Sequence, residues 1–157
     1  MAEYEPWSEE RGRAVIAAEA KRPGALLPVL HAVQQTFGFV PDAAVVAAAD
    51  ILNLTRAEVH GVASFYHDFK TAPQGRHVLK LCRAEACQSM GTRALADQVR
   101  ARLGIDFGET TPDGRVTLEE VYCLGLCACA PSAMLDGELH ARLDAESVDA
   151  LVREAQA

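Results

Sequence analysis

Two stretches decide the fold: Val78-Leu79-Lys80-Leu81-Cys82-Arg83-Ala84-Glu85-Ala86-Cys87 and, after a gap of 35 residues from Cys87, Cys123-Leu124-Gly125-Leu126-Cys127. Val78 to Cys82 is a short apolar run with strand character, and Val121-Tyr122 leads into the second cysteine pair in the same way. Each pair is therefore expected on a loop just after a strand. Strands of one sheet can bring two such loops to the same end. Between them, Ser89 to Leu103 has the spacing of a helix closed by Gly104. Phe107 to Val121 reads as two strands around the turn Pro112-Asp113-Gly114. Met134 to His140 reads as a hairpin with Asp136-Gly137 as a type I′ turn, and Asp144 caps a last helix to about Ala155. The order β-α-β-β-β-α predicts an α/β or α+β unit with helices on one sheet.

The sequence before Thr71-Ala-Pro-Gln-Gly75 has a different grammar and no cysteine. Ser8 is placed to cap a helix running to about Ala20, with Glu9 and Glu10 in its first turn. Pro23-Gly24 stops it. Leu26, Leu27, Leu30, Val33 and Phe37 form a helical stripe ended by Gly38. Pro41 suits a first helical position, and Asp42 to Leu52 is apolar nearly all round, as in a buried helix. Thr55-Arg56-Ala57-Glu58 spells a capping box for a helix towards Ala63. Two domains are expected: a three- or four-helix bundle over residues 1–75, and the cysteine-bearing unit over 76–157.

The chain has 157 residues, a formal charge of −7 and five cysteines. That length buries a core without a metal to hold it together. The acidic balance argues against nucleic acid and anionic membranes as partners. Ala43 to Ala49, the longest apolar run, is too short to cross a bilayer, so no direct membrane insertion is expected. The start of the chain has neither the basic residues nor the apolar core of a secretory signal, which predicts a cytoplasmic protein with reduced thiols. In that setting an odd number of cysteines points to metal binding or redox work.

Four thiolates in two close pairs can hold a tetrahedral zinc or a [2Fe–2S] cluster with two cysteines on each iron. The second site would carry −2 when oxidised and −3 when reduced, so it needs compensating dipoles. Amides at the start of the helix after Cys87 could supply them, and Gly125 could let backbone approach sulfur closely. Neither pair has the two-residue knuckle spacing common in structural zinc. Cys129 is expected to be a small buried residue lining the pocket rather than a fifth ligand.

These motifs resemble the thioredoxin-like [2Fe–2S] subunit family. That family includes the 24-kilodalton-type subunit of NADH:quinone oxidoreductase, the matching subunit of NAD-linked hydrogenases, and the gamma subunit of NAD-dependent formate dehydrogenase. The likeness runs from about Leu26 to the end. It includes Leu26-Leu-Pro-Val-Leu-His-Ala-Val-Gln-Gln-Thr-Phe-Gly-Phe-Val-Pro41, Gly61-Val-Ala-Ser-Phe-Tyr66, both cysteine pairs, and Ala130-Pro131. The resemblance favours iron–sulfur over zinc. It implies an α+β fold, a thioredoxin-like [2Fe–2S] domain behind a small helical bundle. It implies a [2Fe–2S] cofactor held by Cys82, Cys87, Cys123 and Cys127. The chain would be a non-catalytic electron-transfer subunit of an NAD-dependent oxidoreductase, exchanging single electrons with a flavin (FMN)/NAD-binding iron–sulfur subunit. The residues around the ligands, with Cys129, look most like formate dehydrogenase gamma subunits, whose catalytic subunit contains molybdenum or tungsten. The alternatives are the respiratory or hydrogenase subunit, a structural-zinc interaction module, or a free-standing ferredoxin.

The remaining features read as structural. The five histidines are expected at the surface or in helix packing. Glu119 and Glu120 are strand neighbours facing opposite sides, so they suit a solvated face better than acid/base work. Phe65-Tyr66-His67-Asp68-Phe69 reads as core with part exposed to a partner. Tyr4 and Trp7 lie in a segment expected to be disordered alone and ordered on a neighbouring subunit. Without a Gly-rich dinucleotide loop, the chain is not expected to bind NAD itself or to have a substrate site.

Overall fold

Leu79 and Leu81 alternate with Val78 and Lys80 along β1 (His77–Cys82), so one face of this strand is sealed while the other stays half-buried. β1 is a central strand. It pairs in parallel with β2 (Val116–Val121) and antiparallel with β3 (Ser132–Leu135), and β4 (Glu138–Ala141) completes a sheet of order β2-β1-β3-β4. The register sets Cys82 opposite Val121, so β1 and β2 finish together. Both cysteine loops therefore leave the same end of the sheet.

This computed structural model describes residues 4–157, in two compact units that divide between Pro73 and Gln74. In the second unit the sealed sheet face meets α6 (Thr92–Leu103) and α7 (Ala145–Gln156). Leu79, Leu81, Leu118 and Leu135 pack there against Leu95, Val99, Val148 and Leu151. Asp144 caps α7 and exchanges hydrogen bonds with Ser147. Asp136 (φ 52°) and Gly137 (φ 92°) make the hairpin turn that their sequence predicts.

Two predicted elements of this unit differ. The helix expected over Ser89–Leu103 is two helices, α5 (Glu85–Ser89) and α6, separated at Met90-Gly91. Gly91 takes φ 95°, which re-aims the chain and which a residue with a Cβ adopts only under strain. Of the two strands expected around Pro112-Asp113-Gly114, only β2 forms. Its would-be partner contributes a single bridge, Thr110 to Thr117. Pro112 has no amide to donate, and Gly108, whose amide donates to the Leu118 carbonyl at 2.8 Å, takes φ 84° in place of an extended conformation.

The first unit consists of α1 (Glu9–Glu19), α2 (Leu26–Phe37), α3 (Asp42–Leu52) and α4 (Arg56–Phe65). Their buried faces share one core of Ile16, Val29, Leu30, Val33, Phe37, Ala48 and Val59. Ser8 accepts from the Arg11 amide, and Thr55 and Glu58 complete the capping box. Pro41 is the N-cap of α3 rather than its first helical residue. The segment holding Tyr4 and Trp7 is ordered on its own unit, against expectation. The Glu5 amide donates to the Thr36 carbonyl at 2.9 Å, and Trp7 meets Phe37 with ring centroids 4.8 Å apart. A Cβ on Gly12 would lie 2.3 Å from the Trp7 ring, so the indole fills a notch that the glycine leaves. Residues 1–3, with which the expected first domain opens, lie outside the described residues. In the aromatic run Phe69 is core, whereas Phe65 and Tyr66 are exposed.

Among the described residues no helix is long and apolar enough to cross a membrane.

Candidate metal centre

β1 ends on Cys82, and α5 presents Cys87 one turn later. Both are 1% exposed and pack with Ala130, Ala84, Val121 and Leu124. The helix expected to follow Cys87 in fact contains it. Cys123 and Cys127 lie beyond β2 on an exposed loop. Cys123 takes φ 110°, a sparsely populated conformation for a residue with a side chain. Strain of this kind persists where the surroundings over-determine it. Gly125 at φ 78° turns the loop back, and its amide donates to Cys123 Sγ at 3.3 Å. A Cβ at Gly125 would meet no heavy atom within 4 Å. The glycine supplies the positive φ of the turn, and its backbone approaches a cysteine sulfur as the sequence suggested.

The two loops converge on one place. Burial disfavours ionisation of the Cys82 thiol, but amides of Ala84, Cys123 and Leu124 together with the Cys87 thiol overcome it and hold its pKa below the ordinary thiol value. Two of those amides belong to the other loop. The Cys127 thiol is pushed up, first by its hydrogen bond with Cys123. The charge on Cys123, burial, and the charges on Cys87 and Cys82 add to this. Four sulfurs thus sense one another.

The donor set fits an iron–sulfur cluster. Cys123 Sγ and Cys127 Sγ are 3.6 Å apart. A tetrahedral metal with thiolates at about 2.3 Å has S···S edges of about 3.8 Å, so this pair spans one edge. Among the described residues no group of three or more His, Cys, Asp or Glu side chains is placed to hold a single ion. Two sulfurs on one such edge suit one iron of a [2Fe–2S] cluster, which takes two cysteines on each iron.

Cys129 ends a single 3-10 turn that starts at Cys127. It is half-buried rather than fully buried, and its carbonyl accepts from the Arg142 amide at 2.7 Å. The Ala130–Pro131 peptide behind it is cis. His31 meets the Phe69 ring at a tilt, with centroids 4.9 Å apart, and His77 Nδ1 lies 2.6 Å from Asp136 Oδ2, in keeping with structural roles. Glu119 binds Gln74 and Lys80 while Glu120 pairs with Arg83, so these two carboxylates do not act together.

Residues 13–156 match the thioredoxin-like [2Fe-2S] ferredoxin family. The chain belongs to that family. A [2Fe–2S] cluster is the cofactor of this thioredoxin-like ferredoxin, and its α+β fold is the family's. An NADH-quinone oxidoreductase subunit of Rhizobium meliloti is 38% identical over 148 residues, covering 94% of this chain and 88% of the relative. Its counterpart in the NADH-quinone oxidoreductase of Escherichia coli K12 is 38% identical over 128 residues, covering 82% and 77%. Among solved structures, air-oxidized NAD+-reducing [NiFe]-hydrogenase superposes with a TM-score of 0.73 at 30% identity. That match covers 88% of this ferredoxin-family chain but only 24% of the hydrogenase chain.

Several groups at the centre escaped the sequence reading. Ser132 Oγ sits 3.6 Å from Cys87 Sγ across 45 positions of sequence. The amides of Ala84 and Leu124 carry no side-chain signature at all. Arg83 and Glu120 were legible as opposite charges near the ends of adjacent strands, had the parallel pairing been known.

Proposed function

We propose that Cys82 and Cys87 hold one iron, and Cys123 and Cys127 the other, of a single [2Fe–2S] cluster in an electron-transfer subunit of an NAD-linked oxidoreductase complex. The bound cluster supplies a centre that takes up and releases one electron at a time. The residues of the chain do the rest. β1 and α5 fix the inner sulfurs, and the Ala84, Cys123 and Leu124 amides stabilise negative charge on Cys82. Exposure of Cys123 and Cys127 leaves one edge of the centre open to a redox partner. The observation that carries this reading is the reach of the Cys123 and Leu124 amides to the Cys82 sulfur.

The proposed partner is an FMN- and NAD-binding iron–sulfur subunit. The names of the similar proteins support a complex of the NADH:quinone oxidoreductase type, or of the NAD-linked hydrogenase type, over the formate dehydrogenase type. The formate dehydrogenase reading, and the molybdenum or tungsten subunit that goes with it, rests on Cys129 and the residues around the ligands. A cytoplasmic site of action belongs to the same proposal, because it keeps the thiols reduced.

Anaerobically purified protein should contain iron and sulfide in equal amounts and give a rhombic S = 1/2 EPR signal after dithionite. Stoichiometric zinc without iron would refute the proposal. Gentle co-purification then identifies the complex: a flavoprotein together with quinone-reductase subunits, with a [NiFe] subunit, or with a molybdenum or tungsten subunit.

A further inference from the structure

Arg83 directly follows the first proposed ligand, and Glu120 lies opposite Leu81 in the parallel register of β1 and β2. The contacts of Arg83 join three ligand-bearing segments. Its amide donates to the Val121 carbonyl at 2.8 Å, just ahead of the Cys123 loop. Its carbonyl accepts from Gln88 Nε2 at 2.7 Å, and Gln88 follows Cys87. Its guanidinium pairs with Glu120 and lies 4.9 Å above the Phe107 ring. The side chains of the pair are 38% and 37% exposed, so solvent screens them only in part.

The surrounding cleft, of about 630 Å³, also holds Arg93, Arg100, Asp97 and Asp106. Arg100 is engaged by both aspartates, and Arg83 by Glu120. The cleft lining counts three arginines, Arg83, Arg93 and Arg100, against two aspartates, and Glu120 pairs with Arg83 from β2. That pair adjoins the segment of the proposed ligands Cys82 and Cys87, where the centre gains one negative charge on reduction.

We infer that Arg83 and Glu120 are positioning residues that together set the reduction potential of the cluster. Arg83 ties the Cys82–Cys87 segment to the end of β2, and its cation favours the more negative, reduced state. Glu120 holds that cation in place and offsets its field. The two members of the pair therefore push the potential in opposite directions. This inference rests on the proposed ligand set.

The test is an EPR-monitored redox titration of the full-length, cluster-loaded chain. Arg83→Gln is expected to lower the potential, and Glu120→Gln to raise it. The double variant should return close to the parent, Arg83→Lys should stay near it, and both single shifts should shrink as salt rises. Single variants that shift in the same direction, or an unmoved potential at normal cluster content, would overturn the inference. If Arg83→Gln fails to assemble a cluster, Glu120→Gln still decides by the sign and salt dependence of its shift, and Arg83→Lys by staying near the parent. A parent protein without a [2Fe–2S] signal would instead refute the ligand proposal itself.

Discussion

The two cysteine pairs occupy one centre but are built by opposite means. Cys82 and Cys87 are buried, set by the end of a central strand and a short helix. Cys123 and Cys127 are exposed, and their loop depends on positive φ at Cys123 and Gly125. The inner sulfurs are thus placed by the packing of the whole unit. The outer ones are placed by a few backbone torsions and, under the proposed ligand set, by the cluster itself. The contrast separates what the fold maintains alone from what the metal completes.

Ligand removal should break both sides, but unequally. Cys87→Ala and Cys127→Ala are each expected to abolish normal cluster binding, read as iron per chain. In the metal-free protein only Cys87→Ala should lower the denaturation midpoint, because only it leaves a buried gap. Equal midpoints would erase the distinction. Next in size, Leu81→Ala beside Cys82 should cost about 2–5 kcal/mol in denaturant unfolding, as expected for a leucine truncated in a packed core.

Alkylation of the metal-free protein sharpens the same contrast. Cys82 has the lowered pKa, which favours its reactive thiolate, but reagent must first reach it. Access should win. Cys123 and Cys127 are expected to label about tenfold or more faster than Cys82 and Cys87 by mass spectrometry, since buried thiols react through local opening. A smaller effect is expected from Gly125→Ala. It meets open space but strains the loop by about 1 kcal/mol, so iron loss to a chelator should quicken about fivefold. Cys129→Ser should leave the iron content unchanged, and loss of the cluster would make Cys129 a ligand.

The sequence was most legible where a side chain acts on its own neighbourhood. Ser8, Thr55 with Glu58, and Asp144 each cap a helix within three residues, and all four stand where their chemistry places them. The hairpin at Asp136-Gly137 and the cysteine spacing are local signals of the same kind. Reading failed where the decisive contact was distant or lay in the backbone. The apolar periodicity of Ser89–Leu103 runs through Gly91 without a sign of the break. Trp7 found its place only through Gly12 and Phe37, which no local pattern joins to it. The positive φ of Cys123 is invisible in a residue type that rarely adopts it, and Ser132 reaches Cys87 only after the sheet has formed.

Trp7 has one more use. It is the sole tryptophan, and it is seated between Gly12 and Phe37 in the helical unit. Its emission reports melting of that unit, while the visible colour of the iron–sulfur chromophore reports the other. One thermal ramp watched at two wavelengths would show whether the halves come apart in concert or in turn, with no dye or label added.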